Sequence, residues 1–176
     1  MYRRDATLGV AVALLCVGRD VLAAQSSAPD STVKSRGSTL IGFSVGVPGY
    51  ISTPVPELFT VGLNLTQIKA GQLGADFAIG TMPRAFAYGA GVIGARLGGT
   101  LPIPIGPDLL LLPTAGLSLL AGAGEGGGAE VGGVNAGLAA VVWSGSNGVR
   151  TGVTVHRFEG VPGTIWLVEF GWVRAK

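Results

Sequence analysis

Few side chains in this sequence could carry chemistry, and their spacing points inward rather than to a reaction. His156 is the only histidine. As a general base it would need a nucleophile held beside it. Thr154 and Glu159 are near in sequence, but no serine stands two residues away on the same face, so a structural place is the favoured reading and catalysis the lesser one. Asp76, Arg96, Arg150 and Glu169 carry two charges of each sign. Each falls on the small-residue face of an alternating segment, which predicts an interior ion network, with a proton or substrate path as the minor alternative. With His156 these four form the expected interior polar cluster. Gly124 to Gly128 has the look of a phosphate-cradling loop, yet no Lys-Ser/Thr pair or helix start follows, so it reads as a flexible outer loop. The only cysteine is Cys16, inside an apolar leader, which leaves neither a disulfide framework nor a thiol metal site. No catalytic, cofactor-binding or metal-binding set is expected.

The elements that position these residues are read from a period of two. Ile41, Phe43, Val45 and Val47 alternate with Gly42, Ser44 and Gly46. Phe59, Val61, Leu63 and Leu65 alternate with Thr60, Gly62, Asn64 and Thr66. Leu73, Ala75, Phe77 and Ile79 alternate with Gly74, Asp76, Ala78 and Gly80, and Thr81 to Pro83 ends that run. The pattern is softer from Tyr88 to Leu101, where Ile93, Ala95 and Leu97 oppose Gly94, Arg96 and Gly98. It is uneven again from Leu109 to Ala121, where Pro113 would suit a strand start or a bulge. Val134 to Val142, Val149 to His156 and Ile165 to Trp172 restore it and bring the count of strands to eight.

Polarity decides what these strands face. Charged residues make up 12% of the chain and AVILMFWYC 48%, with 31 glycines besides, against roughly 25% charge in an ordinary soluble domain. One face of each strand is large and apolar; the other is mostly Gly, Ala, Ser, Thr and Asn. That second face suits a cramped interior better than a wet exterior, so the sheet reads inside out. In a bilayer unpaired backbone groups are too costly to leave at an edge, so the strands must close. Eight strands leave a lumen that side chains can fill, which favours small inward residues and predicts no open pore. Tyr50, Phe59, Tyr88, Trp143, Phe158, Trp166 and Trp172 lie near strand ends, as interfacial girdles would require. A helical alternative using Leu109 to Ala123 is opposed by Pro102, Pro104, Pro107 and Pro113. The net charge of +2 is carried by scattered residues and gives no footprint for nucleic acid.

The N-terminus reads as a secretory signal peptide over residues 1–24: Arg3 and Arg4, then an apolar stretch from Leu8 to Val17, then small residues at Ala23 and Ala24. Residues 25–37 are a serine-rich flexible lead-in, and residues 38–176 are the barrel domain. Segments 48–57, 82–87, 122–129 and 159–163 are expected to face outward, and 70–72, 102–108 and 144–147 the periplasm.

In leader, strand number, alternation and aromatic last strand, residues 38–174 resemble the small eight-stranded bacterial outer-membrane β-barrel proteins. The resemblance implies an all-β, closed, up-and-down antiparallel barrel, delivered by the barrel-assembly machinery, surrounded by outer-membrane lipid and monomeric. It assigns no ligand, because such barrels serve as adhesins, enzymes, tethers and binders alike. The leading expectation is a non-enzymatic protein that is structural or interacts through its outer loops. The alternatives are a lipid-modifying enzyme using His156, and a binder of a small apolar molecule in the barrel mouth, lined by Leu110, Leu112, Ile165 and Leu167.

Overall fold

The computed structural model describes residues 38–50, 53–54, 59–69, 72–125 and 127–176; the expected leader and lead-in lie outside them. The chain runs β1 (Ser38–Tyr50), β2 (Thr53–Pro54), β3 (Thr60–Lys69), β4 (Gln72–Thr81), α1 (Pro83–Ala87), β5 (Gly91–Thr100), β6 (Ile103–Pro104), β7 (Leu109–Gly124), β8 (Gly127–Ser144), β9 (Asn147–Phe158) and β10 (Ile165–Ala175). Strands β2 and β6 are two-residue additions that pair with β1 and β7. The other eight pair antiparallel with their chain neighbours, and β10 returns to β1 over an unbroken ladder from Leu40↔Ala175 to Tyr50↔Ile165. The sheet is therefore a closed eight-stranded barrel without an edge.

The register fixes its shape. A path across the ladders runs Leu40, Thr66, Asp76, Gly98, Gly116, Asn135, His156 and Ile165, and arrives back in β1 at Tyr50. Closure is thus staggered by ten residues, from 40 to 50. With strands ~4.8 Å apart and a rise of ~3.3 Å per residue, this stagger sets a tilt of about 40° and a backbone radius of about 8 Å. A lumen of that width is filled once a few long side chains reach across it.

The large apolar face points out and the small polar face in. Phe43, Leu63, Leu97, Leu117 and Phe170 are all more than half exposed, whereas Asn64, Asp76, Arg96, Asn135 and Arg150 are buried. Arg157 and Arg174, both exposed, stand at opposite ends of the outward faces of β9 and β10. On that outer face Phe43 and Trp172 meet across β1 and β10 with ring centroids 6.1 Å apart. Trp166 covers Gly49, the residue opposite it, so closely that a Cβ there would overlap the indole.

Several local features depart from the sequence reading. Strands β7 and β8 stay paired to Gly124↔Gly127, so the expected outer loop 122–129 is largely strand. Its glycines and alanines give no alternation to read, and pairing with a neighbour holds them extended. Segment 82–87 contains the one-turn helix α1, with Pro83 in its first turn, where a missing N–H costs nothing. Consequently β5 begins at Gly91 rather than Tyr88, after Gly89 has turned the chain at φ +71°. Pro113 needs no bulge: its carbonyl accepts from Leu101 N and Thr100 Oγ1, so its nitrogen faces the break where the chain leaves β5 for β6. Two aromatics expected at the girdles lie elsewhere. Phe158 is buried and stacks on His156, and Trp143 packs against the lumenal apolar cluster.

Candidate functional site

The lumen is layered along the barrel axis. At the end that holds Ser38 and Ala175, a plug is built from Leu40, Leu110, Leu112, Ala139, Val141 and Val173, all 5% exposed or less, with Ile68, Trp143 and Ala175 packed against it. Apolar side chains point inward here because five different strands bring them to one level, where they fill the cross-section. Leu110 and Leu112 belong to this plug and not to a mouth lining, which corrects the expectation that grouped them with Ile165 and Leu167.

Above the plug lies the charged layer. Arg150 on β9 donates to Asp76 Oδ1 on β4 at 3.4 Å and to Thr66 Oγ1 on β3 at 3.1 Å. Thr66 in turn donates to Asp76 at 2.6 Å. Arg96 on β5 reaches Asp76 Oδ2 at 3.4 Å through Nε and Glu169 Oε2 on β10 at 2.5 Å through its guanidinium. It also donates to Asn64 Oδ1 at 3.2 Å and Thr154 Oγ1 at 3.3 Å. Ser44 donates to Glu169 at 3.2 Å and accepts from Asn64 at 2.9 Å. The four charges thus form one chain, Arg150, Asp76, Arg96, Glu169, with Arg96 between two carboxylates. Buried charges persist only when paired and hydrogen-bonded, and each of these is. Two arginines and two carboxylates leave the layer without net charge.

His156 stands apart from this chain. Its Nδ1 lies 2.8 Å from Ser118 Oγ on β7, and Asn135 Nδ2 on β8 donates to the same oxygen at 2.8 Å and to Leu117 O at 2.8 Å. The imidazole is stacked on Phe158, with ring centroids 5.8 Å apart and planes 2° from parallel. Asp76, Arg96, Arg150 and Glu169 are therefore one group, and His156, Ser118 and Asn135 a second beside it. The partnership of Ser118 with His156 was open to inference, since alternation puts Ser118 on the inward face of β7. Sequence spacing along one strand does not show it, because the contact passes over β8, which lies between β7 and β9.

Toward the other end of the barrel a cavity of about 120 Å³ remains. Its walls include Pro48, Val92, Leu120, Phe158, Ile165 and Leu167, and its floor Arg96, Glu169, Ser118 and His156. One side is bare backbone: Gly62, Gly80 and Gly94 lie opposite one another across β3, β4 and β5.

Neither a family model nor a curated protein matches the sequence. Solved structures do match the fold. The N-terminal β-barrel domain of Pseudomonas aeruginosa OprF superposes with a TM-score of 0.61 over 80% of this chain and 100% of that one, at 11% identity. The chain has the fold of a small outer-membrane β-barrel. The attachment invasion locus protein Ail of Yersinia pestis gives 0.56 at 9% identity, covering 80% of this chain and 97% of that one. A de novo designed transmembrane β-barrel gives 0.57 at 14% identity, covering 81% and 98%. At such low identity the likeness to natural and designed chains is one of fold.

Proposed function

We propose that this protein is an integral outer-membrane barrel that neither conducts ions nor catalyses a reaction, and that it serves the envelope structurally or through the segments at the end opposite its described termini. The observation that carries the reading is the double block of the lumen: an apolar plug at one end and a crossing chain of ion pairs in the middle. A continuous water path would have to displace both. The outward apolar belt supports insertion in lipid, and outer-membrane neighbours of the fold support the outer membrane as its address. Export by residues 1–24 and insertion by the barrel-assembly machinery follow from that address, with the barrel acting as a monomer. A non-enzymatic role is supported by the state of Ser118 and His156. The serine oxygen also accepts from Asn135, and among the described residues neither a carboxylate nor an amide oxygen is hydrogen-bonded to the imidazole to orient it, as a hydrolytic triad requires. Density-gradient fractionation of expressing cells and planar-bilayer recording test the reading together. The expected result is recovery with outer-membrane markers and no steady conductance; recovery in the soluble or inner-membrane fraction, or large steady conductance, would contradict it.

A further inference from the structure

The cavity has features that a simple packing gap would not need. It lies between the neutral charged layer and the loop end, its walls are mainly apolar, and its floor exposes hydrogen-bonding groups of Ser118 and His156. We propose that it is a binding site for a small, uncharged, mostly apolar molecule bearing one hydroxyl or carbonyl group.

Three observations set that ligand class. The first is size: an apolar cavity of about 150 Å³ holds benzene, so ~120 Å³ suits a molecule no larger than a single small ring, roughly five to seven non-hydrogen atoms. The second is charge. Arg96 and Glu169 in the floor are already paired with each other, and Asp76 neutralises the guanidinium from the other side, so a charged ligand would have to break a buried pair to be bound. The third is the imidazole. Its Nδ1 is engaged by Ser118 and its face by Phe158, while among the described residues Nε2 has no hydrogen-bond partner. If Nδ1 accepts from the serine, Nε2 carries the proton and donates; if Nδ1 donates, Nε2 accepts. A ligand hydroxyl satisfies either tautomer, and a carbonyl satisfies the first.

The glycine wall makes the site blockable. A Cβ built on Gly94 would meet only Leu120 Cδ1 at 3.8 Å and Leu119 O at 4.0 Å, both ordinary contacts. A larger side chain at position 94 therefore grows into the cavity without disturbing the backbone. Gly62 and Gly80 are poorer sites, since a Cβ at either comes within 3.1 Å of a backbone carbonyl.

The inference rests on the barrel fold and not on its cellular address, so it survives a failed localisation test. The experiment follows the side-chain ¹⁵N signals of His156, a single set in a chain with one histidine, as phenol is titrated into the refolded full-length protein in detergent. A saturable shift in the wild type is expected. Gly94→Leu should abolish it while retaining cold-gel mobility, which shows that the variant is folded. His156→Phe, followed through the backbone amide of Leu167, should weaken phenol about fivefold, the worth of one neutral hydrogen bond, and leave benzene binding unchanged. A shift that never saturates, or one that is equally saturable in a folded Gly94→Leu barrel, would overturn the proposal. Equal loss of phenol and benzene in His156→Phe would overturn the assignment of the polar contact.

Discussion

Arg96 is where the ion chain is most vulnerable. Among the described residues it alone joins Asp76 to Glu169, so Arg96→Met leaves the Glu169 carboxylate with only the Ser44 hydroxyl. Breaking a buried pair this way costs about 3 to 5 kcal/mol, whereas removing both partners can be nearly neutral. Urea unfolding in lipid vesicles should show Arg96→Met destabilised by that order and the double variant Arg96→Met/Glu169→Gln recovering most of it; additive losses would mean that the pair is not coupled. Arg150 and Glu169 touch only through Asp76 and Arg96, so a cycle on those two should show weaker coupling than one on Arg96 and Glu169. The inward placement of all four charges was legible, because a period of two assigns a face to every residue once one face is known. Which charge meets which was not, since that depends on the ten-residue stagger and on long side chains crossing the lumen. The stagger also hid Ser118 from His156, since it decides which residues of β7 and β9 come level on either side of β8.

At the scale of the strands, glycine pairs let the barrel close tightly. Gly98 and Gly116 oppose one another across β5 and β7, and a Cβ on Gly116 would sit 2.2 Å from Leu97 O and 2.4 Å from the Gly98 Cα. Both obstacles are backbone and cannot rotate away. Gly116→Ala should therefore destabilise the barrel by about 1 to 3 kcal/mol, the usual cost of forcing atoms into a packed interior. Gly132, with no atom within 4 Å of its built Cβ, should accept alanine with little change in the urea midpoint. Facing itself is testable by cysteine labelling in vesicles. Leu63, Leu117 and Phe170 should resist a water-soluble reagent and react with a lipid-soluble one, and reactivity like that of a loop residue would exclude a lipid-facing belt. Strong alternation made β1, β3, β4, β9 and β10 readable. The long β7–β8 hairpin was underestimated because Gly122 to Ala129 has no large apolar residue to mark a face, and its extension depends on cross-strand bonds that local composition does not encode.

The whole molecule is a closed, inside-out barrel whose ladder leaves no free edge. Every barrel strand is bonded on both sides and β10 seals against β1, so opening any one seam exposes unpaired backbone to lipid at several kcal/mol per group. Such a barrel should stay compact in cold detergent and open only when all the ladders fail together. The most direct measurement is gel mobility of the vesicle-refolded protein, loaded without heating and after boiling. Two discrete bands are expected, a compact cold species that converts to an extended one over a narrow temperature range; identical mobility before and after boiling would contradict the closed barrel.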